Sequence, residues 1–216
     1  MNNPSTRGSD PTCFRIVLTG GPGGGKTTAA DLFRREVGER IVVVPEAASI
    51  LFSGGFPRSK DPQAVRDTQT AIYHVQRNLE NIQFDRFPNR VLLCDRGTLD
   101  GAAYWPGEAA DFLSHLNTDL PKELQRYDAV LFFESASAGG HAIEGGNPNR
   151  IENVQEASDL DRRLQSIWRN HPNFTFIPHH ESFMTKIRTG LEALVRVIDR
   201  LLTERNERNG KPKGNA

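Results

Sequence analysis

The chain has little cysteine and no excess of charge, and both shortages narrow the classes of protein to which it can belong. Only two cysteines, Cys13 and Cys94, occur among its 216 residues. A scaffold held together by disulfides is therefore excluded, and two free thiols in a reducing compartment are expected. The 27 basic residues equal the 27 acidic residues in number, so there is no overall positive field to hold nucleic acid or an anionic membrane.

Long hydrophobic runs are also missing. The longest apolar runs, at 41–44 and 129–133, are far shorter than the ~18 to 20 apolar residues of a membrane-spanning helix. Residues 1–12 are polar, without the apolar stretch that is typical of a signal peptide. We therefore expect no membrane span and a cytoplasmic location. Residues 1–12 and 206–216 are predicted to be disordered tails.

What the chain does contain is a series of short, mostly apolar segments separated by helical patterns. These segments are rich in Val, Ile, Leu or Phe without alternation, which is typical of parallel strands covered on both faces. The sequence therefore predicts an α/β fold with a five-stranded parallel sheet flanked by helices, in a single domain over 13–205. The predicted strands are 14–19, 40–45, 90–95, 129–134 and 174–178.

Apolar residues at helical spacing predict three further helices. One begins at Asp61 and Pro62, an N-cap followed by proline at the first helical position, and continues to about residue 85. Another covers about 160–171. The last covers 183–201, and its apolar stripe is assigned to core packing from Phe183 onward.

Residues 20–27 read GGPGGGKT, a complete G-x-x-x-x-G-K-[ST] phosphate loop between a predicted strand and a predicted helix. Glycine backbone N–H groups can wrap a polyphosphate. Lys26 is expected to reach the β- and γ-phosphates, and the Thr27 hydroxyl to ligate Mg²⁺. The chain is thus predicted to bind Mg²⁺ and a nucleoside triphosphate, ATP or also GTP. The residues predicted to hold the nucleotide are Gly20, Gly21, Pro22, Gly23, Gly24, Gly25, Lys26, Thr27 and Thr28.

Polar residues follow the second and third predicted strands, at the edge where open parallel sheets carry their active sites. Asp95 follows four apolar residues, which predicts a Walker-B carboxylate for Mg²⁺ or else a capping or salt-bridge role. Glu46 is predicted either to accept the proton of a substrate hydroxyl or to cap a helix. Arg96 either clamps a phosphate or pairs with Glu46 or Asp100.

A stretch rich in Gly, Ser and Ala, at 135–149, is predicted to be a mobile loop within a lid at about 135–170. Arg150 follows this loop and is the first candidate for the cation that neutralises the migrating phosphoryl group, with a solvated arginine as the alternative. Arg162 and Arg163 are expected to be surface charges.

The segment 53–58 reads SGGFPR and is predicted to lie on the side of the acceptor substrate. Its glycines permit a close approach of the backbone, Phe56 can stack on a base, and Arg58 is a substrate-side cation. An ordinary exposed turn is the alternative.

Together these motifs resemble the NadR/translocation-defect type of AAA-like P-loop ATP-binding domain, and its stand-alone bacterial members in particular. The similarity covers about residues 14–200. It implies the fold of nucleoside and nucleotide kinases with sheet order 2-3-1-4-5. A ring is not expected despite the AAA label, because the sequence shows no second region or sensor motifs typical of a hexameric unfoldase. The resemblance also implies phosphate binding by residues 20–28, Asp95 at Mg²⁺, Arg150 in the lid, and Glu46 and Arg96 on the substrate side. The motifs that carry it are VLTGGP at 17–22, VPEAA at 44–48, CDRG at 94–97, YD at 127–128 and R-x-E at 150–152.

Two functions follow from this combination. The first is a small-molecule kinase that transfers the γ-phosphate of Mg-ATP to a hydroxyl of a nucleoside-like compound. The second is a regulatory NTPase or binding module that responds to ATP or GTP and has no small-molecule acceptor. In either case the expected partners are a nucleoside triphosphate and, for the kinase, an unidentified acceptor, in a monomer or small homo-oligomer.

Overall fold

One parallel sheet of five strands organises the molecule, in the order β2-β3-β1-β4-β5. The structure, a computed structural model, describes residues 13–136 and 154–210. The parallel sheet and its strand order confirm the predicted fold, and each strand lies within its predicted segment. The strands are β1 (Phe14–Thr19), β2 (Ile41–Val44), β3 (Val91–Asp95), β4 (Ala129–Phe133) and β5 (Phe174–Ile177).

The register of the strands brings the ends of β1, β2 and β3 to the same edge of the sheet. Leu18 lies opposite Asp95, so the phosphate loop that follows β1 begins beside this carboxylate. Val44 lies opposite Cys94, so Glu46, two residues further on, comes beside Arg96. The sheet geometry alone therefore gathers the predicted strand-end residues into one place.

Helices cover both faces of the sheet in the described part of the chain. The long helix predicted from Asp61 is confirmed, and the Asp61 carboxylate accepts a hydrogen bond from the Ala64 N–H at 3.0 Å. Three short helices between 100 and 124 were not predicted, because five to seven residues are too few to show a helical period. The helices are α1 (Lys26–Val37), α2 (Ala47–Ser53), α3 (Pro62–Arg86), α4 (Asp100–Tyr104), α5 (Ala109–His115), α6 (Leu120–Leu124), α7 (Val154–Trp168) and α8 (Phe183–Gly210).

Each face of the sheet has its own apolar core, since neighbouring strand residues point to opposite faces. Ile16 and Leu18 of β1 pack with α1 and α8 on one side. Val17, the residue between them, packs with α7 and the β3 residue Cys94 on the other side. Both cysteines are free, with Cys94 buried and Cys13 partly buried. Burial raises the pKa of the Cys13 thiol to about 11, so this thiol is not reactive near neutral pH.

The last helix, α8, continues to Gly210, past residue 205, where the folded domain was predicted to end. The residues around 204–208 are Glu, Arg and Asn, and the first two of these types favour helix strongly enough to extend it. Residues 1–12, 137–153 and 211–216 lie outside the described residues, and with them the predicted N-terminal tail, most of the loop predicted at 135–149 and the end of the tail predicted at 206–216. Among the described helices, none combines the length and apolar character that crossing a membrane requires.

Candidate nucleotide-binding site

A cavity of about 1030 Å³ opens at the edge where β1, β2 and β3 end. The phosphate loop and the start of α1 form its floor, while α2, α3 and α4 form one wall and residues of α7 and α8 another. Six of the nine residues predicted to hold the nucleotide line the cavity, and Gly20, Gly21 and Gly24 do not. Those that line it are Pro22, Gly23, Gly25, Lys26, Thr27 and Thr28.

Gly20 and Gly21 serve the packing of the phosphate loop against its neighbours. Gly20 has a φ of 131°, and a Cβ there would lie 2.0 Å from the carbonyl oxygen of Phe133. A Cβ on Gly21 would lie 2.5 Å from the Asp161 carboxylate. Asp161 of α7 accepts hydrogen bonds from the Gly21 N–H at 2.7 Å and from the Ser135 N–H at 3.0 Å. Only glycine allows these close approaches, so the loop is seated by its first two residues.

Lys26 places a buried ammonium group at the cavity, and a bound anion would stabilise its charged form. Its side chain is buried, with the residue 7% exposed, and its ammonium donates to the Gly21 carbonyl oxygen at 2.8 Å. Burial lowers the pKa of Lys26 to about 7, helped by the Arg96 guanidinium, although the Asp95, Glu46 and Asp100 carboxylates act in the opposite direction. A phosphate placed in the cavity would restore the charged form, so the lysine fits a polyphosphate.

Thr27 and Asp95 form the arrangement expected of a Mg²⁺ site. The Thr27 hydroxyl donates to a carboxylate oxygen of Asp95 at 2.7 Å. Burial raises the pKa of Asp95, and the neighbouring Glu46 carboxylate raises it further, so a cation here would favour the ionised form. The described residues contain no cluster of three or more His, Cys, Asp or Glu that could hold a metal. The fit is therefore to an ion that takes most of its ligands from phosphate and water, as Mg²⁺ does.

Glu46 and Arg96 form an ion pair in the wall of the cavity. The Arg96 Nε donates to Glu46 at 2.6 Å, and its Nη1 donates to Asp100 at 2.9 Å and to the Gly20 carbonyl oxygen at 3.3 Å. Glu46 also accepts from the Ser49 hydroxyl. It occupies the N-cap position of α2, but its side chain makes no capping hydrogen bond. The carboxylate is thus directed to Arg96 and the cavity and does not cap the helix.

The protonation states of this pair follow from their contacts. Burial raises the pKa of Glu46, but the Arg96 guanidinium, the Ser49 hydroxyl and Lys26 together hold that pKa below its usual value. Arg96 stays charged, because the surrounding acidic groups raise its pKa despite its burial. The cavity wall therefore presents an ionised carboxylate beside a fixed cation at neutral pH.

Asp100 holds Arg96 in position. From the sequence, Asp100 was only one of the possible partners of Arg96. Its carboxylate accepts from the Thr19 hydroxyl at 2.9 Å and from the Trp168 indole N–H at 2.7 Å, in addition to Arg96. These contacts join β1, α4 and α7 beneath the cavity. The sequence offered only the nearness of the two residues along the chain, because Arg96 follows β3 with a φ of 73° and α4 begins at Asp100.

The wall of the cavity formed by α2 and α3 carries several apolar side chains. It lies on the side predicted to bind the acceptor. Arg58 lines it and rests over the Phe52 ring at 4.0 Å. Phe56, which was predicted to stack on a base, does not line the cavity. Phe52 lines this wall instead. Gln76 accepts from the Ala47 N–H at 3.0 Å and donates to the Arg96 carbonyl oxygen at 3.2 Å. Gln76 thereby ties α3 to both sides of the Glu46–Arg96 pair.

The three arginines of the predicted lid, Arg150, Arg162 and Arg163, differ in what the structure describes of them. Arg150 lies outside the described residues, so its role stays a prediction. Arg162 is exposed and pairs with Asp159, as expected for a surface charge. Arg163 is also exposed, but its guanidinium lines the cavity and donates to the carbonyl oxygens of Trp105 and Gly107 at 3.1 and 3.2 Å.

The assignment of Phe183 to the core stripe of α8 is wrong. This residue is 44% exposed and lines the cavity, with its ring against the backbone of Gly25 in the phosphate loop. It is the first residue of α8, and burial in the core begins one turn later at Ile187. A helical period read from sequence does not show that the first turn extends past the core.

The fold and the cavity together define a P-loop nucleotide-binding protein with the fold of nucleoside and nucleotide kinases. The chain belongs to a family of AAA domains, whose model matches residues 15–183. Among solved structures it is similar to deoxyadenosine kinase from M. mycoides with bound dATP, at a TM-score of 0.60 and 14% sequence identity. The match covers 84% of this chain and 98% of that chain. No curated protein matches the chain in sequence.

Proposed function

We propose that the protein is a Mg²⁺-dependent kinase that transfers the γ-phosphate of ATP, or of GTP, to a hydroxyl of a nucleoside-like small molecule. The observation that carries this proposal is the ionised Glu46, held by Arg96 in the same cavity as Lys26. The Glu46 carboxylate and the Lys26 ammonium are near enough for each to shift the pKa of the other. A switch that only binds nucleotide has no need of a carboxylate aimed at the phosphate site.

The division of labour among the residues follows from their positions. Lys26 and the backbone N–H groups of the phosphate loop would bind the triphosphate, and Thr27 and Asp95 would hold Mg²⁺, which when bound would supply positive charge next to the phosphates. Glu46 accepts the proton of the acceptor hydroxyl while the oxygen of that hydroxyl forms a bond to the γ-phosphorus. The bond from that phosphorus to the bridging oxygen breaks, and ADP leaves with the bonding electrons.

The size and the chemistry of the cavity support two bound molecules. Its volume of about 1030 Å³ lies just above the ~300 to 1,000 Å³ of ordinary ligand sites. Of the aromatic residues that line it, Phe183 lies against Gly25 of the phosphate loop. Tyr104 lies by the Arg96 guanidinium and Phe52 by that of Arg58. A nucleotide and a smaller acceptor can thus meet at Lys26.

Three further elements belong to the proposal on sequence grounds. Arg150 supplies positive charge to the migrating group, the chain falls in the NadR/translocation-defect branch of its family, and the reaction takes place in the cytoplasm.

The variant Glu46→Gln tests the proposal. It retains the size of the side chain and leaves Arg96 paired with Asp100, so the fold is expected to persist. We expect kcat for nucleoside phosphorylation to fall about 10² to 10⁴-fold, because the amide cannot accept the hydroxyl proton. ATP affinity should change little. The measurement is ADP release together with detection of the phosphorylated nucleoside by mass spectrometry, across a panel of nucleosides.

The matched control is Glu39→Gln, a carboxylate on the surface whose partner is Arg90. This variant should retain the wild-type rate. Undiminished turnover in the Glu46 variant would remove Glu46 from the chemistry. If the wild-type protein binds Mg-ATP but phosphorylates nothing in the panel, the regulatory NTPase or binding module is favoured instead.

A further inference from the structure

Tyr127 and Asp128 form a sequence motif that the proposed reaction does not use. Both stand just before β4, and neither lines the nucleotide cavity. Asp128 has a structural role, because its carboxylate accepts a hydrogen bond from the Arg15 N–H of β1 at 2.8 Å. Tyr127 is 4% exposed, and its hydroxyl lies in a buried group of polar side chains next to the segment 96–98, which carries Arg96.

The hydroxyl of Tyr127 fixes Thr98, the last residue of this segment. It accepts a hydrogen bond from the Thr98 N–H at 2.8 Å, and the Thr98 hydroxyl lies 3.1 Å away. The Thr98 hydroxyl in turn donates to the buried Glu123 at 2.7 Å. Burial and the Glu80 carboxylate raise the pKa of Tyr127, so its hydroxyl keeps its proton. Thr98 is therefore held at both its backbone and its side chain.

The same hydroxyl is also connected to the carbonyl oxygen of Arg96. It donates to Glu80 of α3 at 2.8 Å, and Glu80 is fully buried and accepts from Arg126 at 2.7 Å. The Gln76 amide, one turn earlier on α3, lies 3.4 Å from Glu80 and donates to the Arg96 carbonyl oxygen at 3.2 Å. Tyr127 thus supports the segment at a second point.

Arg96 needs this support because its backbone is strained. A φ of 73° persists in a residue with a side chain only where the surroundings hold it. The Arg96 N–H donates to the Leu18 carbonyl oxygen of β1 at 3.0 Å, so the sheet holds the start of the segment and the contacts of Tyr127 hold the remainder. A relaxed φ would turn the guanidinium away from Glu46, to which its Nε donates at 2.6 Å.

We propose that Tyr127 is a positioning residue for the phosphoryl transfer, which keeps Arg96 in its strained conformation and thereby directs the Glu46 carboxylate to the acceptor hydroxyl. This inference rests on the proposed kinase function and adds to it a residue outside the cavity. Because Tyr127 does not line the cavity, the loss of its hydroxyl should slow the transfer without weakening the binding of ATP.

The variant Tyr127→Phe tests the proposal, because it removes the hydroxyl and retains the ring that packs edge-on against Trp168. Adenosine, guanosine, cytidine and uridine serve as acceptor probes. For the probes that the wild-type protein phosphorylates, kcat should fall about tenfold to a hundredfold, the loss expected when a reacting group is misplaced by about an ångström. The affinity for Mg-ATP, measured by calorimetry, should stay unchanged.

The Nε–H proton of Arg96 gives a second readout, which needs no turnover. In the wild-type protein its bond to Glu46 should protect this proton from exchange with solvent. Its NMR signal can be assigned by its absence in Arg96→Lys. In Tyr127→Phe the proton should exchange faster, because the strained segment opens more often.

Ile198→Val is the matched control for stability. It removes a methyl group from the apolar core on the other face of the sheet, where Ile198 is 1% exposed. Its melting temperature should fall, as that of Tyr127→Phe should. Its kcat and its Arg96 signal should nevertheless match those of the wild-type protein.

Each outcome decides a different point. An unchanged kcat in Tyr127→Phe, or an Arg96 proton as protected as in the wild-type protein, would overturn the inference and leave the kinase proposal intact. An equal loss of kcat in Ile198→Val, or a parallel loss of ATP affinity in Tyr127→Phe, would assign Tyr127 a general structural role and also overturn it. If the wild-type protein phosphorylates none of the four probes, the kinase proposal fails, and the role of Tyr127 in the transfer fails with it.

Discussion

At the scale of single residues, two residues of the candidate site, Arg96 and Lys26, lower the stability of the ligand-free protein. Arg96 has a φ of 73°, in the left-handed region that costs a residue with a side chain roughly 1 kcal/mol or more. Its ion pairs with Glu46 and Asp100 hold it there. Lys26 is buried with only a carbonyl oxygen as its hydrogen-bond partner. Strain and buried charge at one place are typical of a functional site.

The variant Lys26→Met should make the ligand-free protein more stable at neutral and acidic pH. The pKa of Lys26 is about 7 in the folded protein against an ordinary value of 10.5, so between these values the unfolded chain binds more protons. Stability from this residue therefore rises with pH across that window, and the penalty is complete below about pH 7. Urea unfolding of both proteins at several pH values measures the difference, which should shrink toward pH 10.

Lys60→Met is the control for this experiment. Lys60 also lines the cavity, but its side chain is 80% exposed, so the difference from wild type should be small and independent of pH. A Lys26→Met protein whose stability stays parallel to that of the wild type at every pH would show that the buried ammonium carries no penalty.

At the scale of elements, α7 is tied to the phosphate loop by one side chain. Asp161 accepts the N–H groups of Gly21 in the loop and of Ser135 after β4. The same helix presents Asp159 and Arg163 to the cavity. The position of the phosphate loop is thus set by α7 as well as by the strand before it.

The variant Asp161→Ala should lower the free energy of unfolding by about 2 to 4 kcal/mol, because two buried N–H groups lose their acceptor. Asp161→Asn should cost less, since its amide oxygen can still accept. Asp159→Ala, which removes an exposed carboxylate, is the control and should change stability little. Urea denaturation gives all three values. Equal stability of Asp161→Ala and Asp159→Ala would show that α7 does not support the loop.

The elements also show what sequence can predict. Apolar segments such as 41–44 and 129–133 identified the strands, because burial on both faces leaves little room for polar residues. The N-cap at Asp61 located the start of α3. The short helices α4, α5 and α6 were missed, since their five to seven residues form by packing against the sheet and have no period of their own.

At the scale of the whole molecule, the site is a product of the sheet. Parallel strands end at a common edge, and the pairing of Leu18 with Asp95 brings the phosphate loop beside the Asp95 carboxylate. This part of the site was predictable from the motifs and the order of the elements. The Asp161 contact was not, because this residue lies in the middle of a helix. Whether such a residue faces solvent, the core or a cavity depends on how the helix packs.

A calorimetric titration of ATP, with Mg²⁺ and with a chelator, into the wild-type protein and Lys26→Ala tests the central claim most directly. The claim is that one cavity holds the triphosphate through Lys26 and through a cation at Thr27 and Asp95. The wild-type protein should bind ATP more tightly with Mg²⁺ than without it. Lys26→Ala should lose about a hundredfold in affinity, because the charge-assisted bonds to phosphate are gone. Equal affinity of the two proteins, unchanged by Mg²⁺, would contradict the account.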